Sequence, residues 1–246
     1  VLNSAITTSG AVSFMERFSN TTREVAQQGR RGALMITMDV RHPEIFEFIH
    51  SKKDLNKITG ANISVKVTND FMRSVRENKS FILQWPVDAI DPKLKKEVKA
   101  KDVWNQIINS AHSSGEPGVL FWDQQNNYSP SSVYPQYKNT STNPCSEIAM
   151  QGGDSCRLMA INLYSFVESP FCKNAKFNFE KLYKIAYEGM RLMDDLVDLE
   201  LEQITTILEK INSDSQPHYI KDAEKRTWEM LLKNCFEGRR VGLGFT

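Results

Sequence analysis

The segment "TNPCSEIAMQGGDSC", residues 142–156, places Cys145 between Asn143 and Glu147 and carries a second thiol, Cys156, at its end. Pro144 disfavours a helical conformation at Asn143 and cannot donate a backbone hydrogen bond, so the sequence predicts an extended segment here. In an extended chain alternate side chains share a face, and Asn143, Cys145 and Glu147 are expected to project together. The ionisable neighbour of this thiol is an anion, which favours S–H over thiolate. A protonated thiol is a poor nucleophile at neutral pH. It is a good hydrogen-atom donor and, after loss of one electron, a hydrogen abstractor. The carboxylate beside it can serve as general base, and the amide can hold a substrate hydroxyl. Cys156 adds a second thiol, which suits a reaction that consumes reducing equivalents.

Plainer readings compete with this one. A cysteine is most often a small buried hydrophobe. Zinc would ask for closely spaced Cys or His pairs, and all four histidines are distant in sequence, so no metal site is expected. A Cys145–Cys156 disulfide or a dithiol oxidoreductase would use the same two sulfurs. Cys172 and Cys235 have no comparable polar company and are expected to be packing residues.

Several elements must position the motif. Apolar residues at Val12, Met15, Phe18, Val25 and Ala26 have helical spacing over 11–28, with Gly29 as a stop. "ALMITMDV" (33–40) reads as a buried strand, and Pro43 fits the first turn of a helix over "PEIFEFIHSKK". "NISVKVTN" (62–69) alternates as a strand, after which Asn69 could cap the helix "DFMRSVREN". "SFILQW" (80–85) is a further strand and 86–101 a basic, Pro-marked connector. The helix "DVWNQIINSAHSS" then ends at Gly115 before a strand at 118–123. Residues 124–142 read as a long polar loop that delivers the cysteine motif. "AINLYSFV" (160–167) is strand-like, and two amphipathic helices follow, at about 178–208 and 219–236, before a turn into a last strand. Strands alternating with helices predict an α/β fold with parallel pairing, and chemistry is expected at the carboxyl ends of strands.

Composition narrows the class. The chain has 246 residues, 40% of them hydrophobic, with 31 basic and 30 acidic side chains and a net charge of +1. That balance argues against nucleic acid or an anionic membrane surface as partner. No apolar run is long enough for a membrane span, and no charged-then-apolar leader opens the chain. Four cysteines fit a reducing cytoplasm better than a disulfide scaffold. The start at Val1 and the end within "RRVGLGFT" suggest an excerpt of a longer polypeptide.

"NPCSE", followed by "DSCRLMAINLYSFV", resembles the active-site loop and following strand of ribonucleotide reductase catalytic subunits. The segments "TTSGAVSFMERFSNTTREVAQQGRRGALMITMDVRHPEIFEFI", "TGANISVKVTNDFM", "RLMDDLVDLELE" and "GRRVGLGFT" are similar to family segments in family order. "SGAVSFM", "GRRGALM" and "CRLMAINLYSFV" are most similar to the adenosylcobalamin-dependent class II enzymes. The diiron-dependent class I catalytic subunits are the alternative, and a non-catalytic nucleotide-binding module of the same fold is another.

The resemblance implies a ten-stranded α/β barrel with the radical cysteine on a loop inside it. Residues 1–246 would then form a single domain, an incomplete piece of that catalytic barrel. It implies that Cys145 carries a thiyl radical that takes the ribose 3′ hydrogen. Glu147 would accept the 3′-hydroxyl proton, Asn143 would hydrogen-bond the substrate, and Cys156 would be one member of the reducing thiol pair. The second member would precede this chain, and the phosphate-holding loop would follow it, so the chain alone is expected to show no turnover. Gln28, Arg30 and Arg31, in "QQGRRGA", match the loop between effector and substrate base, a role that suits guanidinium forks. The implied cofactor is adenosylcobalamin, with no residue here assignable to it. The implied partners are a ribonucleoside di- or triphosphate, deoxynucleoside triphosphate effectors, a thioredoxin-type reductant and a second copy in a homodimer.

Overall fold

The structure is a computed structural model that describes residues 9–25, 29–30 and 32–246. Contacts divide the chain into two compact units, 1–150 and 151–246.

The first unit opens with helix α1 (Ala11–Glu24), strand β1 (Met35–Asp39) and helix α2 (Ile45–His50). Next come β2 (Asn62–Val67), α3 (Asn69–Arg76), β3 (Ser80–Trp85), β4 (Leu94–Lys99) and α4 (Ala100–Ser114). It closes with β5 (Gly118–Phe121), α5 (Trp122–Tyr128), two short 3-10 turns (Pro130–Val133 and Pro135–Tyr137), β6 (Ser141–Thr142) and β7 (Ala149–Met150). Strands β1, β2 and β5 form a parallel sheet in that order, as the βαβ pattern demands. Strands β3 and β4 make an antiparallel hairpin, and so do β6 and β7.

Alternation along β2 explains the layers. Ile63, Val65 and Val67 are buried in one core with Val40, Ile45, Phe48, Ile49, Phe71, Val103 and Ile107. Each such side chain contributes roughly 1.5–3 kcal/mol by leaving water. Asn62, Ser64 and Lys66 point to the opposite face, because successive residues of a strand alternate. In the parallel register Thr37 stands beside Ser64 and Asp39 beside Lys66. The face of β1 and β2 turned from the core therefore carries Thr37, Asp39, Ser64 and Lys66, with Leu120 of β5 beside Lys66.

The second unit contains β8 (Leu158–Ile161), a 3-10 turn (Leu163–Phe166), β9 (Val167–Glu168), β10 (Lys176–Phe177), α6 (Phe179–Ser213), α7 (His218–Gly238) and β11 (Gly242–Phe245). Strands β8 and β11 pair in parallel. Helices α6 and α7 pack through Val197, Ile204, Cys235, Trp228 and Leu231.

Several expectations need correction. The helix after β2 is capped by Thr68, not Asn69: the Thr68 hydroxyl accepts from the Phe71 N–H at 3.1 Å. Pro43 lies in the turn before α2 instead of its first turn. The basic connector contains strand β4, whose Lys-rich sequence is nearly all exposed and so lacks an apolar period. The long loop after β5 holds α5, which buries no residue. Strand β8 starts at Leu158 and stops at Ile161, where Asn162 caps the 3-10 turn by accepting from the Tyr164 N–H. Gly115 ends α4 as expected, in the left-handed region at φ 81° that suits glycine.

The capping assignment has a direct consequence. Thr68→Ala should cost about 1 kcal/mol in urea unfolding, whereas Asn69→Ala should cost much less. The reverse order would place the cap at Asn69 after all.

Candidate functional site

Asn143, Cys145 and Glu147 sit in the loop between β6 and β7, and this loop is not extended. Residues 144–145 form a turn, with the Ser146 N–H bonded to the Asn143 carbonyl at 3.0 Å. Ser146 takes a left-handed φ of 73°. The side chain of Asn143 closes the loop: its Oδ1 accepts from the Ile148 N–H at 3.1 Å, while its own N–H bonds to the Ile148 carbonyl, also at 3.1 Å. Asx residues commonly fold the chain back in this way. Asn143, Cys145 and Glu147 therefore do not alternate along an extended strand, because a local side-chain bond outcompetes the extended form.

Chemistry is still open to the loop. Cys145 and Glu147 are exposed and Asn143 is half-buried. With one lone pair of its carbonyl oxygen used in the loop, Asn143 can still offer an outside ligand its –NH2 group as a donor.

The hairpin lies on the polar face of the first sheet. Lys66 Nζ donates to the Thr140 carbonyl at 3.3 Å, and the Thr37 and Ser141 hydroxyls are 3.1 Å apart. Asn62 Nδ2 donates to the Pro144 carbonyl at 2.8 Å. Residues 140 and 144 thus meet opposite ends of β2, at Lys66 and Asn62. The hairpin runs down the face, and its tip with Cys145 lies by the amino end of β2. The expectation of chemistry at strand carboxyl ends does not describe this loop.

Electrostatics help to seat it. Burial lowers the pKa of Lys66, with Asp39 and Asp88 opposing. The ammonium is compensated by the Thr140 carbonyl and by the Trp122 ring, whose centroid is 4.9 Å away. Asp39 itself is held by Arg41 through Nε at 2.9 Å and Nη2 at 2.7 Å, and Arg41 also reaches Asp88.

Next to the hairpin tip is a cleft of about 430 Å³, lined by Thr22, Arg23, Gly32, Leu34, Gly60 and Asn62 among others. Gly32 is needed there, since a Cβ would stand 2.7 Å from the Thr22 carbonyl oxygen. Arg30, just before the cleft-lining residues, is exposed. Gln28 and Arg31 lie outside the described residues. Sequence reasoning missed Asn62, Lys66 and Thr37. Their polar identity on one face of a strand pair was the available signal.

In the second unit, Cys156 is exposed in the stretch before β8. Cys235 is buried as expected, its sulfur 3.3 Å from Arg157 Nη2, and burial pushes its thiol pKa up against the pull of Arg157. Cys172 is exposed, so it is not the packing residue expected. Arg239 pairs with Asp194 and Asp198, and Arg240 with Asp154, which fits a structural role for both arginines. Another cleft, about 360 Å³, lies between α6 and α7 beside Arg157 and Trp228. Among the described residues no group of three His, Cys, Asp or Glu side chains could hold a metal ion, and no helix is long and apolar enough to cross a membrane.

The strands and helices make a mixed α/β fold with a cysteine-bearing hairpin on one face of a three-stranded parallel sheet, and the described residues form no closed barrel. The family model described as "Ribonucleotide reductase, barrel domain" matches residues 1–245, and the chain belongs to that family. It is similar to the vitamin B12-dependent ribonucleoside-diphosphate reductase of Thermoplasma acidophilum, with 35% identity over 214 residues, 82% of this chain and 26% of that protein. It is 31% identical over 195 residues to the protein of the same name from Mycobacterium tuberculosis, covering 78% of this chain and 27% of that one. The ribonucleoside-diphosphate reductase large subunit of Plasmodium falciparum is 29% identical over 225 residues, 77% of this chain and 26% of that protein. The chain spans about a quarter of the length of these relatives.

The role of Asn143 in closing the loop is testable by amide hydrogen exchange. Loss of one net hydrogen bond of about 1 kcal/mol corresponds to roughly five-fold faster exchange at Ile148 in Asn143→Ala. Asn143→Asp keeps an acceptor oxygen and should keep the protection. Equal, unchanged exchange in both variants would show that the side chain does not close the loop.

Proposed function

We propose that this chain is the part of a class II ribonucleotide reductase catalytic barrel that bears the radical cysteine. The carrying observation is the placement of Cys145: exposed, on a closed hairpin turn, on the polar face of a parallel sheet. The two units would belong to one barrel domain, completed by segments such as those the relatives have beyond the matched quarter. The polar face of β1–β2–β5 would then be the barrel interior.

In this reading the substrate is a ribonucleoside di- or triphosphate with its sugar at the hairpin tip. The Cys145 thiyl radical takes the 3′ hydrogen atom, forming S–H and leaving a carbon radical at C3′. Glu147 accepts the 3′-hydroxyl proton, and the Asn143 –NH2 donates to a sugar oxygen. The 2′-hydroxyl then leaves as water. Two thiols, one of them Cys156, supply two electrons and two protons and end as a disulfide, which a thioredoxin-type reductant would restore. When the product radical takes back its 3′ hydrogen from Cys145 and Glu147 returns its proton to the 3′ oxygen, the thiyl is regenerated and the atoms balance.

The cleft beside Asn62 suits the nucleoside in size. Gln28, Arg30 and Arg31 would contact a base or a deoxynucleotide effector, a role that guanidinium forks suit. A homodimer in the cytoplasm completes the proposal.

Adenosylcobalamin is the cofactor that the B12-dependent relatives point to. No residue of this chain is assigned to it, and no step here is routed through it. The relatives do not favour the class I reading, in which a separate protein would deliver the radical.

The full-length protein with a cytidine di- or triphosphate, adenosylcobalamin and a dithiol tests both readings. Cys145→Ser should abolish deoxycytidine nucleotide formation, a loss of at least about 10³-fold, as expected when a covalent participant is removed. Retained turnover would leave only a nucleotide-binding module. Turnover that ignores cobalamin but needs a second protein would select class I.

A further inference from the structure

We infer that Asn62 is a positioning residue for Cys145, acting through the peptide bond that precedes it. The inference rests on the radical reading above and adds a residue to its machinery.

The geometry is specific. The carbonyl that Asn62 Nδ2 meets at 2.8 Å belongs to Pro144, and that carbonyl shares a rigid peptide plane with the N–H of Cys145. Holding the oxygen restrains the plane, and together with the turn's own bonds it limits the directions in which the Cys145 Cα–Cβ bond can leave the chain. The other bonds of the loop are internal. Ser146 N–H meets the Asn143 carbonyl, Ile148 N–H meets Asn143 Oδ1, and Asn143 N–H meets the Ile148 carbonyl. They set the loop's shape but not its place over the sheet. Among the described residues, Asn62 supplies the hydrogen bond from the sheet to residues 143–148.

Asn62 is itself well anchored. Its backbone N–H bonds to the Leu34 carbonyl at 2.8 Å, and it begins β2 in register with Met35 of β1. Four residues along the same face, Lys66 holds the hairpin's base at Thr140, and Thr37 on β1 holds its middle at Ser141. These three ties share one face of two hydrogen-bonded strands, so the cysteine loop inherits the rigidity of the sheet. Asn62 also lines the 430 Å³ cleft, which couples the occupant of that cleft to the orientation of the Pro144–Cys145 peptide. Radical transfer of a hydrogen atom depends steeply on approach, and a displacement of about 1 Å can cost on the order of 100-fold in rate.

Asn62 is exposed, so its substitution does not open the core. The test uses the full-length protein, with cytidine di- or triphosphate, and measures kcat and KM for Asn62→Ala and for the isosteric Asn62→Asp. Aspartate keeps the shape and removes the donor. Both variants are expected to lose roughly 10- to 100-fold in kcat with KM changed less than about threefold and thermal unfolding unaltered. Wild-type kcat in both would overturn the inference. So would a defect in Asn62→Ala alone, which would make the role one of packing, or a defect confined to KM. If Asn62→Ala unfolds, the Asn62→Asp result decides by itself. Cys145→Ser is assayed alongside: if it retains turnover, the radical reading fails. If it is dead while both Asn62 variants are normal, only the positioning role fails.

Discussion

Strand β2 sends Ile63, Val65 and Val67 into the hydrophobic core and Asn62, Ser64 and Lys66 to the opposite face, and the rest of the first unit is arranged around that division. The greasy side takes helices α2, α3 and α4, whose burial stabilises the sheet. The other side carries Trp122 over Lys66 and the polar groups of β1 and β2. Lys66 and Thr37 on that face are half-buried, and a polar group withdrawn from water needs a partner, since an unpaired buried donor costs roughly 1–3 kcal/mol. The β6–β7 hairpin supplies them through the Thr140 carbonyl, the Ser141 hydroxyl and the Pro144 carbonyl. Docking of the cysteine loop and satisfaction of the polar face are the same event.

The loop's own closure depends on Asn143, whose carbonyl oxygen turns the chain back at Ile148. That bond assigns the amide a structural task at one end and leaves its –NH2 group as the end that can meet a ligand. It also divides the labour of the motif: Asn143 shapes the turn, Asn62 places it, and Cys145 and Glu147 remain exposed. A barrel interior lined by such a face would hold a sugar between a thiol and a carboxylate while the surrounding strands stay rigid.

Much of this was legible in the sequence. Long periodic stretches gave the helices, and the alternation in "NISVKV" gave β2 with its core side. The cysteine motif stood out by its residue types, and its similarity to the ribonucleotide reductase family extends through the chain. What stayed hidden has physical causes. Strand β4 is exposed along nearly its whole length, so no apolar period marks it. Helix α5 buries nothing, and its polar residues read as loop. The cap at Thr68 competes with Asn69 next to it, and either residue type could serve. The turn at Cys145 was missed because Pro144 argues for an extended backbone, while the bond from Asn143 Oδ1 to Ile148 joins residues outside that local preference. The sheet-to-loop ties of Thr37, Asn62 and Lys66 span large sequence separations, so their polar identity on one strand face marks the residues but not their partners.

The central claim is that the Cys145 thiol, seated on this face, meets the ribose of a bound nucleotide. The distance from Cys145 Sγ to C3′ in a crystal structure of the full-length protein with a ribonucleotide measures it directly. A separation of about 3.5 Å, close to the attack geometry of reacting atoms, is the expected result. A sulfur buried away from the sugar, or a ribose bound on the helix-covered side of the sheet, would contradict it.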